Sequence, residues 1–449
     1  MTNREIYAVM RHLSRHCPTI VRGEGIYLFD NQGTRYIDGA SGSSLVCHVG
    51  HGIGAIAEVM TPQAKDIAYN PTHCSVSEPF LDLAEKIAGI APGGLNRVFG
   101  VSSGSEATET AIKFARQYHV ARGQTSKYEV VGRWQSYHGN TLGGLSVSGH
   151  TYRRRKHAPL LMAFPHIPPA YCYRCYFGLK HPDCSLRCAW ALENAIRQEG
   201  PENVSAFIAE PVVGASLGAV PAPEGYFQII RDICDRYDIL FIADEVMTGV
   251  GRTGRNFSID HWCVVPDMIA TGKGLGAGYI PLGAVIMSSD ITALMQDKGA
   301  SFVGGHTYSG HLLSSRVGLA VLGYMEKNRL VENAQEQGTY LMEGLESLLE
   351  FKMVGDVRGK GLMAGVEFVK DRKTKEPFSP KLDVAGQVMD AAMERGLIIF
   401  PGHGSVDGIM GDHILIGPPL TIKRNQVEEM IGILRTSIET VEKKLKLSE

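Results

Sequence analysis

The apolar positions of this chain fall into short runs, and two of those runs end abruptly in charge. Ile239-Leu240-Phe241-Ile242-Ala243 leads into Asp244, and Met268-Ile269-Ala270-Thr271-Gly272 leads into Lys273. Continuous apolar runs of this length predict strands buried on both faces of a parallel sheet. The same pattern predicts further strands at 97–101, 128–132, 205–209 and 283–287, mostly with helical stretches between them. Helices are predicted at 78–89, from Glu106, at 314–326 and at 330–350. Strands alternating with helices imply right-handed crossovers and an α/β fold with a mostly parallel sheet. The ends of the chain read differently. Tyr27 and Phe29, then Tyr36 and Ile37, flank Asp30-Asn31-Gln32-Gly33, which predicts an antiparallel hairpin. The Gly- and His-rich segment 46–52 reads as a loop. From about residue 336 onward helices mix with short strands such as 362–368.

Length and composition narrow the class. At 449 residues the chain exceeds one simple core, so more than one domain is expected. The predicted division is an N-terminal arm with part of a small domain at 1–75, a large domain at 76–335 and the rest of the small domain at 336–449. A formal net charge of -2 gives no electrostatic case for nucleic acid or an anionic membrane. No apolar run reaches the roughly 18 residues of a membrane span. The start, MTNREIYAVMRHLSRHCP, lacks a signal-peptide apolar segment, so a cytoplasmic location is expected. Nine cysteines in that setting suggest reduced thiols.

Function in open α/β sheets lies beyond the carboxyl ends of the strands. Asp244 and Lys273 both fall there. Taken alone they read either as a buried ion pair or as the two groups that pyridoxal phosphate (PLP) chemistry requires: an acid for the pyridine nitrogen and an amine for the Schiff base. Other residues share that edge. Ser102-Ser103-Gly104-Ser105-Glu106-Ala107 follows a strand and opens a helix, where free N–H groups and the helix dipole favour an anion; an ordinary serine cap is the alternative. Tyr137-His138-Gly139-Asn140-Thr141 puts an aromatic ring at another strand end, suited to stacking or to core packing. Glu210 ends the run Phe207-Ile208-Ala209, and His306-Thr307-Tyr308-Ser309 is a hydroxyl-rich turn before a helix. Competing motifs fail: Thr271-Gly272-Lys273-Gly274 lacks the Ser/Thr that follows a P-loop lysine, and no dinucleotide fingerprint follows the first strand.

In order and spacing these pieces resemble the class III, or ω-, aminotransferases of PLP fold type I. The resemblance runs from GIYLFDNQGTRYIDGASG through SGSEATETAIKFAR, YHGNT, FIAEPVVG, LFIADEVMTGVGRTG, IATGKGLGAGYIPLGAV and HTYSGH to the final GPPLTI. It implies a large domain around a mostly parallel seven-stranded sheet, with a smaller α+β domain built from both ends of the chain. It also implies site roles. Lys273 would carry PLP as a Schiff base and move protons, and Asp244 would pair with the pyridinium nitrogen. Val246 and Tyr137 would pack on the two ring faces, Ser103, Gly104 and Ser105 would bind the phosphate, and His138 and Glu210 would lie beside the ring and Asp244. Thr307 would reach the phosphate of a neighbouring subunit, which makes the expected assembly a homodimer, with a tetramer as the alternative. The implied reaction is a ping-pong transfer from an ω-amine, β-amino acid or taurine-like amine to a 2-oxo acid such as pyruvate. Lyase or aminomutase chemistry on the same site, or PLP binding without catalysis, are the alternatives.

The chain departs from the family in three places. Many members carry an arginine near the C-terminal part of the site that clamps a substrate carboxylate; here Gly408-Ile409-Met410-Gly411-Asp412-His413 and Leu415-Ile416-Gly417-Pro418-Pro419 contain none. Arg22, Arg133, His48 and His403 are the candidate replacements. Ala215 stands where ornithine- and GABA-type members carry glutamate, and Leu45 stands where several amine-accepting members carry tryptophan. Finally, Cys172, Cys175, Cys184 and Cys188 have the spacing of metal ligands or are four reduced thiols in an insertion; the expectation for the catalytic site is no metal.

Overall fold

The computed structural model describes Val9 and residues 17–446. The rest of the polar start, residues 1–16 other than Val9, lies outside the described residues. At the centre is a seven-stranded sheet in the order Leu95–Val101, Gly283–Ser288, Met268–Thr271, Leu240–Asp244, Val204–Ala209, Glu129–Arg133, His166–Ile167. Only Gly283–Ser288 runs against its neighbours. Six of these strands match the predicted apolar runs. The edge strand His166–Ile167 has only two residues, too few to show a pattern.

The sheet is buried on both faces because its side chains alternate between two packed layers. Ala206, Ile208, Ile242, Met268, Ala270 and Val285 pack with Ala107, Ala111, Phe114 and Ala115 of the helix Gly104–Ala121. Their neighbours Phe207, Phe241, Ala243, Ile269 and Ile286 pack with Phe227, Ile230 and Ile233 of the helix Tyr226–Tyr237. This explains the unbroken apolar runs in the sequence: a strand with two buried faces has no polar side to alternate with.

The two ends of the chain meet. Ile20–Glu24, Tyr27–Asp30 and Arg35–Asp38 form an antiparallel meander, and Leu397–Ile398 from the C-terminal region adds to it in parallel with Arg35–Asp38. A second antiparallel sheet joins Val354–Lys360, Met363–Phe368, Asp412–Ile416 and Phe400–His403. Arg252 ties these parts to the central sheet. Fully buried, it donates to the carbonyls of Leu362 (3.0 Å) and Pro418 (2.6 Å) and to Ser41 Oγ (3.2 Å). Three predicted helices shift a bound by two residues or more, the one expected at 314–326 spanning Leu312–Lys327. The helix expected from Glu106 begins at Gly104, and the one expected to reach 350 ends at Glu346 and continues as a 3-10 turn.

Candidate active site

Parallel strands bring their carboxyl ends to one edge, and five of them deliver the residues singled out in the sequence. Asp244 ends its strand, and Lys273 lies two residues beyond Thr271. Glu210 follows Ala209, Tyr137 and His138 follow the strand ending at Arg133, and Ser103 caps the helix that follows Val101. Gly283, at the start of the one reversed strand, reaches the same edge, where a Cβ would lie 2.7 Å from the Ser103 carbonyl and 3.0 Å from that of Thr271.

The carboxylates are held firmly. His138 Nδ1 lies 2.7 Å from Asp244 Oδ2 with both side chains buried, so the imidazole donates there. Asp244 Oδ1 accepts the Val246 N–H at 3.0 Å. The His138 N–H donates to Ser148 Oγ at 2.8 Å, which fixes the ring's starting point. Glu210 takes N–H bonds from Tyr137 (3.4 Å) and Gly214 (3.3 Å). Burial, with the charge of Asp244 adding to it, pushes the Glu210 carboxyl above its ordinary range against the pull of His138 and Arg133.

Lys273 is the cation facing them. Its ammonium makes no hydrogen bond or ion pair among the described residues, and burial pushes its pKa down to about 8 while Asp244 and Glu210 oppose the shift. Its backbone sits at φ 40°, a region that non-glycine residues occupy at a cost of roughly 1–3 kcal/mol when packing over-determines it. A half-neutral amine near pH 8 is a nucleophile and a proton carrier, which an ordinary surface lysine is not.

The helix start opposite is built for close approach. Ser103 Oγ accepts the Glu106 N–H at 3.2 Å, and Glu106 Oε2 accepts the Ser102 N–H at 2.7 Å, a reciprocal cap. A Cβ on Gly104 would lie 2.4 Å from Val246 Cγ1, and one on Gly272 would lie 3.1 Å from the Gly104 nitrogen. Ser105 Oγ accepts the Asn140 N–H at 3.0 Å and so joins the helix start to the loop of Tyr137.

The profile of the family "Aminotransferase class-III" matches residues 9–438. This chain is a class III aminotransferase. An uncharacterized aminotransferase of Bacillus subtilis (strain 168), YodT, is 39% identical over 98% of this chain and 99% of its own length. The putrescine–pyruvate aminotransferase of Pseudomonas aeruginosa is 35% identical over 94% of this chain and 90% of its own. Among solved structures, a thermostable (S)-enantioselective omega-transaminase from Thermomicrobium roseum superposes with a TM-score of 0.92 at 36% identity, covering 98% of this chain and 97% of that one. The fold is therefore PLP fold type I, and the enzyme depends on PLP.

The aminotransferase's own residues fit that group. A buried carboxylate is fixed on one side, and Lys273, which among the described residues makes no hydrogen bond or ion pair, stands on the other. At this corner a Cβ on Gly104 would clash with Val246, and one on Gly272 would crowd the Gly104 backbone, so only glycines allow so close an approach. Two buried polar atoms on this edge, His138 Nε2 and Thr271 Oγ1, have no partner among the described residues.

Other candidates fall elsewhere. Thr307 is exposed, its carbonyl accepting the Tyr69 hydroxyl at 2.5 Å. Arg22 pairs with Glu24 at 2.7 Å on an exposed strand. Arg133 is buried, and its Nη2 donates to the Glu210 carbonyl at 2.5 Å. His48 bonds the Val250 carbonyl at 2.9 Å, and burial next to Arg252 holds its imidazole well below the ordinary range. His403 stands between Asp412 (2.7 Å) and Asp383 (3.5 Å). All four are already engaged. Leu45 is buried against Gly417, so two of the departures from the family pattern touch one another. Ala215 packs against the main core, and its carbonyl lies 3.1 Å from His413 Nε2. The four cysteines line one cavity of about 20 Å³ with His181. Among the described residues, the groups compact enough to share an ion are Asp38–Cys47–His51 and Asp383–His403–Asp412, and these cysteines are in neither. Sequence reasoning missed Ser148, which supports His138, and Arg153, which lies over Tyr137; the run Arg153-Arg154-Arg155-Lys156 was the signal available.

Proposed function

We propose that this aminotransferase moves an amino group from an ω-amine, a β-amino acid or a taurine-like amine to a 2-oxo acid such as pyruvate. The observation that carries the reading is the buried Asp244–His138 pair facing the depressed lysine Lys273. Bound PLP supplies an electron sink for the carbon that loses its proton. Lys273 would hold the cofactor through Nζ and, when released from it, move that proton. Asp244, oriented by His138, would hold a proton on the ring nitrogen. Val246 and Tyr137 would pack on the ring faces, Ser103, Gly104 and Ser105 would bind the phosphate at the helix start, and Glu210 would lie beside the ring's phenolic oxygen. The putrescine–pyruvate relative supports a terminal amine as donor and pyruvate as acceptor. The absence of glutamate at Ala215 and of arginine at 408–419 weighs against a glutamate/2-oxoglutarate site of the ornithine or GABA type.

The same reading makes the working unit a homodimer, with Thr307 reaching the partner's phosphate. The exposed Tyr69–Tyr308 edge contact beside it supports an interface there. Residues 76–335 would form the PLP-binding domain, with 1–75 and 336–449 completing the smaller one; the pairing of Leu397–Ile398 with Arg35–Asp38 supports that division. Among the described residues no helix is long and apolar enough to cross a membrane.

The test is a panel of amines assayed separately with pyruvate and with 2-oxoglutarate. Turnover of terminal amines with pyruvate is expected. Turnover confined to 2-oxoglutarate, or none with any amine, would overturn the substrate assignment.

A further inference from the structure

We propose that Arg153 reads the carboxylate of the 2-oxo acid, an inference that rests on the transaminase reading above. The short helix Thr151–Arg155 carries three arginines in a row, and the structure separates their roles. Arg154 is committed to the protein: its Nη1 donates to the carbonyls of Ser146 (2.7 Å) and Ser148 (2.5 Å) and lies 2.9 Å from His166 Nε2. Arg155 is exposed. Arg153 is half-buried, its guanidinium carbon 4.5 Å from the centre of the Tyr137 ring and its Nη1 3.5 Å from that hydroxyl. Among the described residues it pairs with no carboxylate. A guanidinium drawn partly out of water has an aromatic ring and a phenolic hydroxyl beside it here, and a carboxylate would be the stronger partner. Its planar fork matches a carboxylate in two parallel hydrogen bonds.

Position points the same way. Arg153 lies over Tyr137, whose sequence neighbour His138 holds Asp244. Its charge reaches Lys273, where it adds to the burial that depresses the ammonium. The loop 404–411 closes over this corner. Gln135 Nε2 donates to the carbonyls of Gly404 and Ser405, both at 3.0 Å, and a Cβ on Gly408 would fall 2.1 Å from Thr151 Oγ1. That loop contains no lysine or arginine. The cation at this corner therefore comes from the helix beneath it.

The test uses PLP-loaded Arg153→Gln and Arg153→Lys, with the two half-reactions followed separately by absorbance. A primary alkylamine probes the donor half, pyruvate added to the enzyme aminated by that first half probes the acceptor half, and calorimetric titration with propionate reads carboxylate binding without turnover. Arg153→Gln should weaken pyruvate and propionate about 10- to 100-fold, the worth of one charge-assisted pair. The alkylamine half-reaction should change by less than about threefold, and Arg153→Lys should fall between. Unchanged pyruvate and propionate binding would overturn the proposal. So would equal losses in both half-reactions together with loss of bound PLP, which would mean that Arg153 only props Tyr137. A wild-type enzyme that moves no amino group would sink the transaminase reading instead, and the propionate titration would still decide Arg153.

Discussion

His138 and Asp244 form one rigid acceptor: the imidazole Nδ1 meets Oδ2 at 2.7 Å while the Val246 N–H meets Oδ1 at 3.0 Å. The carboxylate is pinned on both oxygens and cannot rotate without losing a buried hydrogen bond, which is expensive where water cannot replace it. His138 is itself fixed through Ser148. The acid at the strand end is thus oriented by a residue that arrives from a different strand.

Asp244→Asn should fold normally and lose more than about 100-fold in kcat/KM, near 3 kcal/mol of transition-state stabilisation. His138→Ala should lose less, about 10- to 100-fold, the range found for groups that orient a metal-bound imidazole. PLP affinity by fluorescence titration and kcat/KM with one amine measure both. A His138→Ala enzyme as fast as wild type would remove the orienting role.

Gly104 and Val246 make the second close relationship. A Cβ at Gly104 would lie 2.4 Å from Val246 Cγ1, so Gly104→Ala must displace Val246, the residue expected to pack on the ring. Overpacking of this kind costs about 1–3 kcal/mol. PLP affinity should fall about tenfold or more. Gly104→Ala/Val246→Ala should recover part of that loss in a double-mutant cycle. No recovery would place the clash elsewhere.

The central sheet, and the edge where the candidate site residues gather, were legible because the apolar runs are short and end in residues that burial alone does not explain. Asp244, Lys273 and Glu210 all showed that signature. His166–Ile167 did not, since two residues carry no periodicity. The helix start at Gly104 was read two residues late because a serine-rich cap and a helix interior look alike until Ser103 is seen accepting the Glu106 N–H. Arg153 was hidden for a different reason. A basic run on a short helix reads as a solvated face, and only the return of residues 404–411, some 250 positions later in the chain, puts a loop against it and suggests the role proposed above. His403 and Arg133 looked equally suitable in the sequence and turned out to be occupied.

Lys273 gives a prediction that does not depend on turnover. Burial disfavours its ammonium, so the amine becomes half neutral near pH 8 instead of near the ordinary 10.5. In cofactor-free protein, modification of Lys273 by an amine-selective reagent, read by peptide mass, should rise through about pH 8 and level off above it. A rise only above pH 10 would refute the depressed value. In loaded protein, borohydride should fix the cofactor to the peptide carrying Lys273, and Lys273→Ala should bind PLP only reversibly and lose turnover.

Glu245 contributes to the pH dependence of stability. It is fully buried beside Asp244, with Oε1 accepting the Ile259 N–H at 2.7 Å and Oε2 accepting the Thr248 hydroxyl. Burial pushes its carboxyl up to about 7 from the ordinary 4.5. Between those two values the folded state binds more protons than the unfolded state, so stability falls as pH rises from 4.5 to 7, and the whole penalty is present above 7. Glu245→Gln keeps an oxygen for Ile259 and offers Thr248 an N–H, without the charge. It should leave stability nearly unchanged below pH 4.5 and raise it by about 2–3 kcal/mol at pH 8. Urea midpoints at acidic and alkaline pH measure the difference. A difference between variant and wild type that does not change between acidic and alkaline pH would refute the raised value for Glu245.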